Sequence, residues 1–275
     1  MTCEWKALLS ILPIRLRQEV DRLGRTNLQE LRLRKMEPPE LVLNTDSLWL
    51  SEIVTTEDLD YIVNAASRYS PWIGRSCAQG YITAPGGHRI GICGEAVYKN
   101  GVIEGIRQIQ SLCIRIARDF PGIAATLEGS RKSTLILGPP GSGKTTLLRD
   151  LIRQISEKEA VCIVDERMEL FPQGFQKGKR TDILSGCSKQ IGITQLLRTM
   201  GPDWIAVDEI TAEQDCIALE QAVNCGVRLL ATAHASSFSD FMCRKVYSRL
   251  ISCRAFDMAV ILKKNKTYHV EGIIT

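Results

Sequence analysis

The sequence predicts an α/β protein in two parts, a domain with a parallel-sheet core over residues 126–275 and a smaller α+β domain over residues 1–125. Three observations carry that expectation. In the second half, short apolar runs alternate with helical patterns, as in a parallel sheet covered on both faces. Between the first of those runs and the next helix stands a glycine-rich loop, Gly138-Pro139-Pro140-Gly141-Ser142-Gly143-Lys144-Thr145. The first half reads differently, with two helical patterns and a stretch rich in glycine and β-branched residues.

Taken in order, Trp5 to Leu23 predicts a helix, because Leu8, Leu9, Leu12, Leu16 and Val20 recur at helical spacing. Leu28 to Leu33 alternates as a strand does, and Leu41 to Leu43 predicts another short one. Thr56 is the expected N-cap of a second helix whose buried face is Leu59, Ile62, Val63 and Ala66. Ile73 to Arg118, with its Pro85-Gly86-Gly87 turn, predicts a small sheet. Pro121-Gly122 and Glu128 to Lys132 mark the boundary region. Beyond it, Ser133 to Leu137, Val161 to Val164, Trp204 to Val207 and Arg228 to Thr232 are each short and apolar enough for a buried strand. A hairpin is expected where Lys263-Lys264-Asn265-Lys266 separates Ala259–Leu262 from Tyr268–Ile274. That basic run and Lys177, Lys179 and Arg180 are assigned no partner.

Composition excludes several classes. A net charge of +4 in 275 residues gives no bulk electrostatic argument for nucleic acid. The ten cysteines are scattered and never form Cys-x-x-Cys, which argues against a zinc site or a disulfide scaffold. No cationic, apolar and cleavage-site sequence marks a signal peptide, and no run approaches the roughly 20 apolar residues of a membrane span. The expectation is a reduced, cytoplasmic, soluble chain.

In the loop, Gly138, Gly141 and Gly143 permit the backbone conformations that turn N–H groups toward an anion, and the helix that follows adds its N-terminal dipole. Gly138 to Thr146 thus forms the expected phosphate cradle, with Pro139, Pro140 and Ser142 completing its path. Lys144 is positioned to reach the β and γ phosphates of ATP, and the Thr145 hydroxyl to ligate Mg2+. Two apolar runs end in acidic pairs, Asp165-Glu166 and Asp208-Glu209. P-loop enzymes with a catalytic glutamate commonly carry it on the later strand, which assigns Asp208 to Mg2+ and Glu209 to the attacking water. His234 ends the next apolar run. It would lie beside the γ-phosphate if its strand falls between those carrying the loop and Asp208-Glu209.

With these residues assembled, the chain resembles the type II/IV secretion ATPase superfamily and, within it, the branch serving endospore formation. The resemblance rests on Leu28–Arg34, Gly87–Glu95 and Ser111–Arg118 in the first half. In the second half it rests on the loop, Val164–Arg167, Leu197–Asp203, Val207–Ile210 and Ala231–His234. It implies a RecA-like ATPase domain behind the smaller domain, assembled as a homo-oligomeric, hexameric ring. It maps an Asp box to Asp165-Glu166-Arg167, a Walker B motif to Asp208-Glu209 and a His box to His234. Arg115 and Arg118 become candidates to approach the phosphates, with Arg89 and Arg107 behind them. Thr211 departs from the glycine that relatives carry after Asp-Glu-Ile.

The expected function is therefore Mg-dependent ATP hydrolysis by a motor. By the same resemblance it is peripheral to the membrane on the mother-cell side, where it energises membrane-embedded sporulation channel proteins. Two rivals stay open. A nucleic-acid motor would need basic and aromatic residues interleaved along a groove, yet aromatics are 6% of the chain and no such pattern occurs. An ATP-binding switch with little turnover would use the same loop.

Overall fold

The computed structural model describes residues 3–24, 27–43, 46–67, 80–127, 131–172 and 174–273. Ile73 to Ala78 and Gln79 of the expected small sheet, Glu128 to Ser130 of the boundary region, and Ile274 lie outside them. The chain divides into two compact units, residues 1–119 with 172–175, and residues 120–171 with 176–275.

The first unit begins with two helices where the apolar spacing predicts one, α1 (Trp5–Ser10) and α2 (Ile14–Gly24). Pro13 is the cause. It has no N–H to donate and its ring opposes the carbonyl four residues back, so the first helix stops before it and the second begins after it. Leu8, Leu12, Leu16 and Val20 are buried on both sides of the break. The sheet comprises β1 (Glu30–Arg34), β2 (Glu40–Val42), β3 (Ser47–Trp49), β4 (Tyr81–Thr83), β5 (Arg89–Lys99) and β6 (Val102–Arg115). Its order is β3-β2-β1-β6-β5-β4, antiparallel throughout. Alternation places Leu31, Leu33, Ile90, Ile92, Leu112 and Ile114 on one face, in a single core with Leu8, Leu12, Leu59 and Ile62. The third helix, α3 (Thr56–Ala66), is capped by Thr55 rather than Thr56. Asp58 N–H donates to Thr55 Oγ1 at 3.3 Å and Thr55 N–H donates to Asp58 Oδ2 at 2.7 Å, a reciprocal box.

His88, fully buried in this unit, ties three segments together. Its Nδ1 accepts from Ala117 N–H at 3.2 Å, so Nε2 carries the proton and donates to Glu4 O at 3.2 Å. Burial holds the imidazole pKa below its ordinary value, outweighing the hydrogen bond to Glu4. A folded state that binds this proton less readily than the unfolded chain loses stability as pH falls. The contribution should be complete above pH ~6.5 and decline below it. Urea titrations from pH 8 to 5 should show that decline in the wild type and a flatter profile in His88→Gln.

In the second unit, β7 (Thr134–Leu137), β8 (Val161–Asp165), β10 (Trp204–Val207) and β11 (Arg228–Ala233) are apolar runs that form the centre of a seven-stranded sheet. Its order is β13-β12-β7-β11-β10-β8-β9, where β9 is Thr181–Ser185, β12 Met258–Leu262 and β13 Tyr268–Gly272. Every pair is parallel except β12 with β13. The runs are continuous because both faces are covered. Leu135, Leu137, Cys162, Val164, Ile205 and Val207 face α5 (Lys189–Thr199) and α6 (Glu213–Asn224) in one core. Ile136, Val161, Ile163, Trp204 and Leu230 share the other core with Leu147, Leu148 and Leu151 of α4 (Lys144–Ile155). Two short helices, α7 (Phe238–Cys243) and α8 (Ser248–Ser252), add Phe241 and Leu250 to the first of these cores.

The register prepares a site. Ala233 pairs with Leu137, Val207 with Ala231 and Val207 with Val164. The chain therefore leaves β7, β11, β10 and β8 along one edge of the sheet, at Gly138, His234, Asp208 and Glu166, with Asp165 the last residue of β8. The strand of His234 does lie between those of the loop and of Asp208-Glu209.

Candidate active site

The loop from Gly138 to Gly143 connects β7 to the first turn of α4. Gly138 has no room for a side chain, since a Cβ there would stand 2.7 Å from Ser142 Oγ and 2.8 Å from Leu262 O. Gly143 has φ 100°, the left-handed region that glycine enters without strain. Ser142 Oγ is buried without a hydrogen-bond partner, an orphaned polar atom inside the cradle. Lys144, only 7% exposed, donates to Pro139 O at 3.0 Å and to His234 Nδ1 at 3.1 Å. Burial lowers its pKa, against the pull of Asp208 and Glu209. An ammonium held by neutral acceptors beside an unpaired hydroxyl suits a polyanion such as a nucleoside triphosphate.

Thr145 Oγ1 donates to Asp208 Oδ2 at 2.7 Å, and Thr232 Oγ1 donates to Asp208 Oδ1 at 2.6 Å. No group of three or more metal-ligating side chains occurs among the described residues. Mg2+ needs none, since it usually keeps waters and takes one or two protein oxygens with substrate phosphates. The Thr145 and Asp208 oxygens fit that requirement.

Glu209 takes the left-handed conformation at φ 56°, a cost of roughly 1–2 kcal/mol for a residue with a side chain. Its N–H donates to Thr232 Oγ1 at 2.8 Å. Its carboxylate meets His234 Nε2 at 3.1 Å and Arg167 Nη1 at 2.5 Å. Lys144, His234, Glu209 and Arg167 thus form a continuous chain of contacts from the loop to the end of β8.

The other acidic pair is engaged locally. Both oxygens of Asp165 accept backbone N–H groups of its own loop, from Glu169 at 3.0 Å and Leu170 at 2.9 Å. Burial raises the Asp165 pKa against those bonds. Glu166 accepts from Lys189 Nζ at 2.7 Å. Thr211 N–H donates to Asp215 Oδ2 at 3.0 Å and Ala212 N–H does the same at 3.2 Å, bonds that a glycine at 211 would also make, and the threonine adds its hydroxyl at 3.4 Å from the same oxygen.

Beside Gly141 to Leu147 lies a cavity of about 450 Å3 whose far wall is Phe120, Ile123, Leu262, Lys266 and Tyr268. Sequence reasoning missed these five. The sequence places Lys266 in the expected hairpin turn and Tyr268 on its flank, with no part in a site. The pairing of β12 with β7 brings the hairpin to the loop, and that register has no local signal. In the first unit, Arg115 pairs with Glu30 at 3.3 Å, Arg118 donates to Leu28 O at 2.9 Å, Arg107 pairs with Glu95 at 3.1 Å, and Arg89 lies over the Tyr81 ring. Of the other basic residues, Lys179 pairs with Glu157 and Arg180 donates to Lys158 O.

A parallel sheet with a glycine-rich loop after β7 and acidic residues at the ends of β8 and β10 has the fold of a RecA-like P-loop domain. A smaller unit precedes it in the chain, and the fold is shared with solved ATPase structures. The structure of the ATPase DotB from Legionella pneumophila matches 94% of this chain and 79% of its own, with TM-score 0.62 and 16% identity. That of the pilus retraction motor PilT with bound ADP matches 95% of this chain and 83% of its own, with TM-score 0.65 and 14% identity. The family model described as sporulation stage III, protein AA matches residues 4–275, and the chain belongs to that family. Stage III sporulation protein AA of Bacillus subtilis (strain 168) is 39% identical over 257 residues, covering 87% of this chain and 83% of that protein. The uncharacterized protein ycf45 of Cyanidium caldarium is 30% identical over 173 residues, 58% of this chain and 52% of that one. No helix among the described residues is long and apolar enough to cross a membrane.

Proposed function

We propose that the chain is a Mg-dependent ATPase motor. The observation that carries this reading is the linkage of Lys144, His234 and Glu209 in one network, beside the Thr145–Asp208 pair. The backbone N–H groups of Gly141 to Thr146 bind the triphosphate, and Lys144 exchanges Pro139 O and His234 for phosphate oxygens. Thr145 and Asp208 hold Mg2+, which when bound supplies charge neutralisation. Glu209 accepts the proton of the attacking water. His234 loses its contact with Lys144 when the lysine turns to the γ-phosphate, and so reports its occupancy. The cavity of Phe120, Ile123, Leu262 and Tyr268 receives the base and ribose, with Lys266 at its rim. Asp165 and Glu166 serve the reaction by fixing the loop between them and Leu170.

The remainder of the proposal is assembly. Copies of the chain form a hexameric ring in which Arg115 and Arg118 reach a nucleotide, exchanging Glu30 and Leu28 O for phosphate. The ring works on membrane-embedded sporulation channel proteins from the cytoplasmic, mother-cell side. Similarity to stage III sporulation protein AA supports the setting. Phosphate release from ATP tests the core of the reading. Wild type should turn over, and Glu209→Gln should lose about 100-fold. Equal and negligible rates for both would instead establish an ATP-binding switch, and stimulation by nucleic acid would favour a nucleic-acid motor.

A further inference from the structure

Arg167 belongs to the loop after β8, outside the phosphate cradle, and pairs with Glu209 across the sheet edge. The pairing is built by register. Val164 lies opposite Val207, so the chains leaving β8 and β10 run side by side, and the left-handed turn at Glu209 aims its side chain toward that neighbour. The loop bearing Arg167 is itself fixed, since Asp165 accepts from Glu169 and Leu170, Arg149 donates to Glu169 O at 2.9 Å, and Glu166 is tied to Lys189. Arg167, Glu209, Asp165 and Asp208 also border one cavity of about 20 Å3, the space of a single water.

The two oxygens of Glu209 are held differently. Oε1 faces His234, whose other nitrogen takes Lys144, so that contact changes when Lys144 turns to a phosphate. Oε2 faces Arg167, which has no such tie to the nucleotide. A carboxylate that must present one oxygen to water needs its other oxygen fixed throughout the cycle. We propose, resting on the ATPase reading above, that Arg167 is the positioning residue for Glu209, holding Oε2 while Oε1 is released to the attacking water.

Steady-state hydrolysis and equilibrium binding of a fluorescent ATP analogue by Arg167→Gln, Arg167→Lys, Glu209→Gln and the Arg167→Gln/Glu209→Gln double variant test this. Wild-type turnover and binding come first, because their absence would refute the ATPase reading and not the role of Arg167. Expected are a roughly tenfold lower kcat in Arg167→Gln with KM and analogue affinity within about twofold, and partial recovery in Arg167→Lys. The double variant should fall no further than Glu209→Gln, since Arg167 acts only through that carboxylate. An unchanged or raised kcat, a matching loss of analogue affinity, or additive losses in the double variant would each overturn the proposal. Arg167 is half exposed, and equal melting temperatures establish that the variants are folded.

Discussion

Lys144→Met is expected to lower kcat/KM for ATP by roughly 10³-fold or more, because it removes a positive charge aimed at the transferred phosphoryl group in a site largely shielded from water. The same substitution should leave the nucleotide-free protein at least as stable as wild type. Lys144 is buried with two neutral acceptors, and burial already lowers its pKa, so the empty site bears a desolvation cost that nucleotide would offset. Methionine fills similar volume without that charge. Melting curves with and without ATP separate the two effects. Wild type should gain the stabilisation that any ligand confers on the state it binds, and Lys144→Met should gain almost none. A variant that melts lower without nucleotide but still shifts with it would show that Lys144 serves packing instead.

That outcome depends on features of unequal visibility in the sequence. The central strands were legible because burial on both faces demands unbroken apolar runs, and Trp204 to Val207 or Val161 to Val164 admit little else. The loop was legible because glycine spacing, lysine and hydroxyl must be contiguous to wrap a phosphate. Elements with little buried surface were not. Ser47–Trp49 is exposed throughout, and Thr181–Ser185 is a half-polar edge strand after a basic stretch, so neither carries a hydrophobic period. Pro13 was visible but its effect was overridden by the regular leucine spacing around it. Thr55 and Thr56 offer the same hydroxyl, and only the backbone decides which one caps.

The contacts inside the site were the least legible, although most of the residues were named. Asp165 reads as a second catalytic acid, yet its oxygens are occupied by two amides of its own loop. Glu209 was singled out, but its left-handed backbone and its contact with Arg167 follow from the pairing of β8 with β10. Phe120 and Tyr268 stand about 150 residues apart in sequence and line one cavity because Asp150 pins one segment to α4 while β12 pairs with β7.

Asp150 therefore carries the second large expectation. It is 1% exposed, on α4 two turns past the loop, and its carboxylate serves four donors at once. Gly122 N–H donates at 3.0 Å and Ala124 N–H at 2.8 Å, Arg153 pairs at 2.5 Å, and Gln154 Nε2 donates at 3.1 Å. Truncation to alanine would leave two amides of residues 122–124 without their acceptor and remove the carboxylate that pairs with the mostly buried Arg153. Removing one partner of a buried ion pair costs about 3–5 kcal/mol, far more than the pair contributes over an apolar substitute. Asp150→Ala should lose that much in urea unfolding of the second unit. Asp150→Asn, which keeps an oxygen for one of the amides but no charge for Arg153, should fall between the two. If the four contacts were peripheral, both variants would unfold within about 0.5 kcal/mol of wild type, as surface substitutions do. A loss confined to Asp150→Ala would assign the role to the amides, and equal losses in both variants would assign it to the charge.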